Sequence, residues 1–378
     1  MIYLDYNATA PLHKNVIKKI QSLKFEEFGN PSSVHKIGRN SKKIIEETRR
    51  NILSILKAKN YDLIFTSGAT ESNNLAIKGF IKKNNIKIIY SLETEHASVI
   101  DVVKSLDIEK KYFKTNSNGT VNLKEVDELL SKQKSSFLVS IMFANNESGV
   151  INPINEISKI VKKYNGIIHC DGVQSLGKIE IDLDALDVDL FSISSHKIGG
   201  PTGVGALLIN SRNNISSEII GGGQEKNLRS GTENFIGILG FGEAMNEVKN
   251  LTNICNLQIK NTRDLLESNL KKLSNEIKIF GEDTDRLGNT CYFAYPSMTS
   301  ENQVIALDQN GICVSSGAAC SSGKVEPSHV LKAMQVDEKY IHSAIRVSLG
   351  WDSTKEQIEN FFNVWKTNCF KNGALNVR

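Results

Sequence analysis

The chain has 378 residues, with 46 Lys and Arg against 42 Asp and Glu, a formal net charge of +4, and 40% apolar against 23% charged residues. At roughly 150 residues per domain this length allows two or three domains and excludes a small disulfide-stapled scaffold, while the composition excludes a disordered or fibrous protein. The charges are mixed along the chain, so nucleic acid is not an expected partner, and apolar runs such as FLVSIMFA (137–144) fall short of the ~20 residues a membrane helix needs.

The N-terminal MIYLDYNATAP carries an acid early and no basic, apolar leader, which fits a cytoplasmic protein. From about 33 to 250, short β-branched runs alternate with helical patterns. DLIFTS (62–67), IKIIY (86–90), FLVSIM (137–142), GIIHC (166–170) and LFSIS (190–194) read as buried strands. Between them lie amphipathic helices such as NLAIKGFIKK (74–83) and PINEISKIVKKY (153–164), with Pro153 at a favoured first-turn position. Alternating strand and helix predict a largely parallel sheet covered on both faces. Ligands of such sheets bind beyond the carboxyl ends of the strands. After about 250 the rhythm changes to a long helical pattern at 252–274 and strands near 289–295 and 344–349. S-E-N-Q (300–303) and S-T-K-E (353–356) have capping-box form, and this half reads as a smaller α+β domain.

The strand ends run into an unusual set of segments: TSGATESNN (66–74), ETEHAS (93–98), NNESG (145–149), HCDGVQS (169–175) and SISSHKIGGPTGVG (192–205). Each has a plain explanation when taken alone. TSGAT suits a helix cap as well as an anion site, His96 suits a hydrogen-bonded loop, and Asp171 suits the cap of the next helix. Lys197 is harder to explain in that way. It follows an apolar strand and precedes a glycine-rich turn, where restricted solvent lowers an amine's pKa and makes it nucleophilic. Such a lysine suits covalent chemistry with a carbonyl, including that of pyridoxal phosphate. That cofactor requires a lysine, a carboxylate for its ring nitrogen and an anion site for its phosphate. Lys197, Asp171 and the turn from Gly68 to Thr70 supply one of each, beyond three different strands.

Six cysteines occur, Cys170, Cys255, Cys291, Cys313, Cys320 and Cys369, with no C-x-x-C and no H-E-x-x-H, so a zinc site has no support and reduced thiols are expected. Five of them suit core or surface positions. Cys320 differs, because SSGAACSSG (315–323) surrounds it with residues that offer no other chemistry. The segment does not match a phosphate-binding G-x-x-x-x-G-K-[ST] loop. Arg346 stands in the apolar run AIRVSLG (344–350) and needs a partner there. A substrate carboxylate and a structural ion pair both fit.

YLDYNATAP, FGNPSSVH, TSGATESNN, TEHAS, NNESG, DGVQS, SSHKIGGPTGVGAL, GGGQE, RSGTEN, SSGAACSS and IRVSLG occur in this order from Tyr3 to Gly350. The chain thereby resembles the cysteine desulfurases, pyridoxal-phosphate enzymes of the class V aminotransferase family. The resemblance implies an α/β fold of type I, with a large cofactor domain of mostly parallel sheet (13–250) and a smaller α+β domain (1–12 and 251–378). It implies a homodimer with active sites at the subunit interface and pyridoxal 5'-phosphate as cofactor. Lys197 would hold the cofactor through its amine, Asp171 would pair with the ring nitrogen, and His96 would stack on the ring and assist proton transfer. Gln174 and Asn146 would contact the phenolic oxygen side. Ala69, Thr70, Ser194 and His196 would hold the phosphate, with Thr232 from the neighbouring subunit. Arg346, with Asn30, would bind the carboxylate of L-cysteine, and Cys320 would take its sulfur as a persulfide and pass it to an acceptor protein such as an iron-sulfur scaffold.

Ser195 and Ala318 depart from the family's commonest residues at positions without a catalytic role. The 28 residues after Gly350 are fewer than in members whose tail docks the scaffold, which makes delivery to that partner less secure than persulfide formation. A selenocysteine lyase or another lyase or aminotransferase of the family is the alternative, although selenium needs no thiol to leave. A non-catalytic binding protein is disfavoured by Lys197, Asp171 and His96.

Overall fold

The computed structural model describes the chain apart from residues 25, 27, 252–253, 297, 318–326 and 372–378. Its strands are β1 (Ile2–Tyr3), β2 (Tyr61–Thr66), β3 (Ile88–Leu92), β4 (Glu109–Phe113), β5 (Phe137–Met142), β6 (Ile167–Asp171), β7 (Leu190–Ser194), β8 (Gly205–Asn210), β9 (Lys278–Ile279), β10 (Thr290–Ala294), β11 (Ile312–Cys313), β12 (Ser315–Ser316) and β13 (Ala344–Ser348). Seven of them form one sheet in the order β2-β8-β7-β6-β5-β3-β4. Only β8 runs against the rest, antiparallel to both β2 and β7.

Near-continuous apolar runs form these strands because both faces of the sheet are covered. Successive residues point to opposite faces, and here both faces are apolar. Phe65, Tyr90, Val139 and Ile141 join one core with Ile45 and Phe191, while Ile64, Ile89 and Leu138 join a second with Leu75, Val99 and Leu207. A separate antiparallel sheet of order β12-β13-β10-β9 packs on the helices Ile254–Leu273 and Lys355–Trp365. Leu266, Leu270, Phe293, Ile345, Phe361 and Trp365 form its core. The N-terminal residues link the two regions: β1 pairs with β11, Leu4 joins the core of the smaller sheet, and the chain then passes to the end of the larger one.

The parallel sheet agrees with the sequence reading, with local differences. The periodicity passes over β4, whose residues are mostly polar on an edge strand, and β8, which continues directly from the glycine-rich turn. Asp171 is the last residue of β6 rather than the first after it. Thr299 caps the helix Ser300–Asp308, and Thr354 with Gln357 forms the box that opens Lys355–Trp365, each one residue from the expected register. Pro153 is itself a cap residue. No helix among the described residues is long and apolar enough to cross a membrane.

Candidate active site

A cleft of ≈ 490 Å³ lies over the carboxyl ends of β2, β5, β6 and β7, and Ala69, Thr70, His96, Asn146, Asp171, Gln174, Ser194, His196, Lys197 and Arg346 all line it. The structure therefore brings together ten residues that the sequence placed in one site. Asn30 and Thr232 are exposed and do not line the cleft; Asn30 Oδ1 accepts from the backbone of Ser32 at 2.9 Å. Cys320 lies outside the described residues. The segment that leads to it begins at β12, where Ser315 is the register partner of Arg346.

Lys197 sits on the connection between β7 and β8, in a tight turn Ser195–Ile198 that closes at Gly199 with φ +76°, a left-handed conformation glycine adopts readily. Its Nζ donates to the carbonyls of Asn7 at 2.6 Å and Ala8 at 2.8 Å. Asp171 ends β6 because its carboxylate turns back: Oδ1 accepts from Val173 N at 3.0 Å and Oδ2 from Asn73 Nδ2 at 2.9 Å. Asn73 also donates to Ser98 Oγ at 2.9 Å, and Ser98 Oγ meets His96 Nδ1 at 2.9 Å. A polar chain thus connects the carboxylate to the imidazole.

His96 caps the helix Ala97–Ser105, its Nδ1 accepting from the backbone N–H of Ser98 at 3.1 Å. That bond assigns the proton of the neutral ring to Nε2. Burial lowers the pKa of His96, partly opposed by Asp171, so the neutral form is favoured. His196 meets Thr9 Oγ1 at 3.0 Å, and burial with the nearby Lys197 brings its pKa down to about 4.

At the other end of the cleft, Gly68 precedes a helical rod made of Ala69–Asn74, a π-turn Leu75–Gly79 and Phe80–Asn84. Its first turn presents Ala69 and Thr70 to the cleft, where free N–H groups and the helix dipole favour an anion. The hydroxyl of Ser194 is buried there with no hydrogen-bond partner. Arg346 is held by Asn146 O at 2.9 Å and by Asp5 Oδ1 at 2.8 Å, while its buried Nε has no acceptor. Both readings of this arginine thus have a place: it is in a structural ion pair, and it keeps a donor for a carboxylate. An orphaned hydroxyl at an anion-favouring turn, a lysine amine and a strand-end carboxylate fit the three needs of pyridoxal phosphate.

Asp5, Asn7 and Asn73 are site residues the sequence reading did not single out. Asp5 and Asn7 lie within the quoted YLDYNATAP, but their partners are hundreds of positions away. Asn73 stands in TSGATESNN, at a helical position from which it reaches another strand's carboxylate.

Fold and site together define a pyridoxal-phosphate-dependent enzyme of the type I α/β architecture. The chain belongs to the class-V aminotransferase family, whose model matches residues 2–361. A cysteine desulfurase IscS of Dictyoglomus turgidum is 40% identical over 96% of this chain and 93% of its own length. The solved NifS-like protein of Rickettsia africae superposes with a TM-score of 0.89 at 40% identity, covering 97% of this chain and 99% of the other. A structure described as SspA in complex with cysteine is similar at 28% identity and a TM-score of 0.80, over 92% and 99% of the two chains.

Proposed function

We propose that the chain is a cysteine desulfurase: it converts L-cysteine to L-alanine and keeps the sulfur as a persulfide on Cys320 for transfer to an acceptor protein, of which an iron-sulfur scaffold is one. The observation that carries this reading is the meeting of Lys197, Asp171, His96 and Arg346 in one cleft, beside the strand from which the Cys320 segment departs. Two of the similar proteins are described as a cysteine desulfurase and as a complex with cysteine, which supports the substrate class.

Bound pyridoxal phosphate would supply an electron sink for the substrate's α-carbon. The chain's own residues bind and orient. Lys197 would hold the cofactor, Asp171 would offer its ring nitrogen a carboxylate that keeps it protonated, and Ala69, Thr70, Ser194 and His196 would take its phosphate. Gln174 and Asn146 would contact the phenolic oxygen. Arg346 Nε takes one oxygen of the substrate carboxylate. His96 presents Nε2–H toward the cleft and handles the proton there. The Cys320 thiolate attacks the sulfur of the substrate; a sulfur-sulfur bond forms as the bond from sulfur to Cβ breaks, and Cβ takes a proton to leave as alanine. A thiolate is required for this attack. Thr232 would serve the partner's site in a homodimer, and Asn30 would assist Arg346.

The test is a Cys320→Ala enzyme assayed for alanine and protein-bound persulfide from cysteine. Both are expected to vanish while the cofactor stays bound. Alanine formed from cysteine at the wild-type rate would sink the proposal and favour a lyase that needs no thiol.

A further inference from the structure

Lys178 is a second lysine behind the site, and the reaction above gives it no part. It follows Gly177 in the turn after β6, four positions beyond Gln174. Its Nζ donates to Gln174 Oε1 at 2.7 Å and to Asn7 Oδ1 at 2.9 Å. The same two partners lead to Lys197: Gln174 Nε2 donates to the Asn7 carbonyl at 3.0 Å, and Lys197 Nζ donates to that carbonyl at 2.6 Å. Asn7 is itself held in place by Asn289 Nδ2 at 3.0 Å and by Thr290 Oγ1, which accepts from Asn7 Nδ2 at 2.9 Å. On its other side Lys178 meets a second cavity of ≈ 70 Å³, walled by Tyr6, Leu176, Ile198 and Trp351.

A primary amide has an accepting end and a donating end of nearly the same shape. The Asn7 carbonyl can only accept, so the end of the Gln174 amide at 3.0 Å from it is the nitrogen, and the end at 2.7 Å from Lys178 Nζ is the oxygen. The donating Nε2 must then face Asn7 and the cleft. Remove Lys178, and Oε1 loses its partner, so that the single bond from Nε2 to the Asn7 carbonyl is left to oppose a flip that would turn an acceptor toward the cleft. An acceptor facing a phenolate oxygen repels it, whereas Nε2–H stabilises it. We propose that Lys178 is a positioning residue, which fixes the Gln174 amide with its donor toward the phenolic oxygen of the cofactor. This inference rests on the reading of Gln174 given above. Burial, with Lys197 and Arg346 nearby, holds the Lys178 pKa well below that of an ordinary lysine, and a neutral amine still has the proton to donate to Oε1.

The test uses the full chain loaded with pyridoxal phosphate and reads the visible absorbance of the lysine-bound cofactor and its dissociation constant. Lys178→Met is expected to weaken cofactor retention by about three- to tenfold, the worth of one hydrogen bond, and to shift the absorbance band in the same direction as Gln174→Met. In the Gln174→Met background, Lys178→Met should add nothing, because the two act through one contact. Lys178→Arg, which keeps a donor, should restore the band, and Lys178→Leu serves if the methionine variant does not fold. A wild-type band and dissociation constant in Lys178→Met or Lys178→Leu would overturn the inference. So would additive effects of the two substitutions, the signature of a merely structural residue. Absence of the band from the unaltered protein would instead overturn the role of Lys197, and with it this inference.

Discussion

Replacing Asp5 with alanine tests how the arginine of the site is held. Arg346 Nη2 meets Asp5 Oδ1 at 2.8 Å, with side chains only 4% and 16% exposed, so the pair is buried and poorly screened. Removing one partner of a buried ion pair costs about 3–5 kcal/mol, because the other charge stays in place uncompensated. Arg346 keeps the Asn146 carbonyl at 2.9 Å, a single neutral acceptor that offsets about 1 kcal/mol of this. The net loss for Asp5→Ala is then about 2–4 kcal/mol. At about 2.1 cal/mol/K of unfolding entropy per residue, 378 residues give ~1.3 °C per kcal/mol, so the thermal midpoint should fall by roughly 3–5 °C. The assay is thermal unfolding of the cofactor-loaded enzyme at a fixed scan rate, with and without excess L-alanine. In the variant, the carboxylate of the amino acid can take the place of Asp5, so added alanine should raise the midpoint more than it does in the wild type. A midpoint within about 1 °C of wild type, no more than an exposed surface pair would cost, would refute the reasoning. Equal increments from alanine in the two proteins would show that its carboxylate does not take the place of Asp5.

Lys197→Ala should abolish turnover and the visible band of lysine-bound cofactor while still retaining pyridoxal phosphate non-covalently, which absorbance and mass spectrometry separate. His169 lies between Ser140 Oγ at 2.8 Å and Ser192 Oγ at 3.0 Å, and burial brings its pKa down to about 4. The unfolded chain therefore binds a proton here that the folded one does not, and stability should fall as pH drops from about 6.5 toward 4, by at most ~1.4 kcal/mol per pH unit from this residue. His169→Gln should flatten that slope in urea midpoints measured across the range; an unchanged slope would remove His169 from the account. Gly205→Ala would put a Cβ 2.8 Å from Gly68 Cα and from the Ile193 carbonyl. Backbone on both sides leaves no room to yield, so about 1–3 kcal/mol of overpacking strain should move the Gly68 turn and weaken cofactor binding, read by equilibrium dialysis.

Much of the site could be read from the chain because its parts end strands, and a strand end is a local feature. Asp171 after an apolar run and Lys197 before a glycine turn each announce a position at the edge of a sheet. Residues that act through a backbone carbonyl leave no such mark: nothing in the letters at Asn7 and Ala8 says that their carbonyls receive the Lys197 amine. Asp5 could not be matched to Arg346 because 341 positions separate them, and only the pairing of β1 with β11 and the bridge from Asp5 to Ser348 bring them together. The cap shifts at Thr299 and Thr354 show a different limit. Serine and threonine stand side by side at both sites, and the choice between them depends on the direction of the incoming chain.

The reversed strand β8 determines how Lys197 can move. A parallel successor to β7 would need a crossover of a dozen or more residues back to the far end of the sheet. An antiparallel successor starts from the same end of the sheet, so the lysine rides on a loop, 195–204, whose two stems, Ser194 and Gly205, are register partners. The backbone amides on either side should therefore be among the slowest in the molecule to exchange with deuterium. Any travel of the amine between cofactor and the carbonyls of Asn7 and Ala8 is left to four side-chain torsions. The chain thus gives the Lys197 amine a fixed base and a short reach.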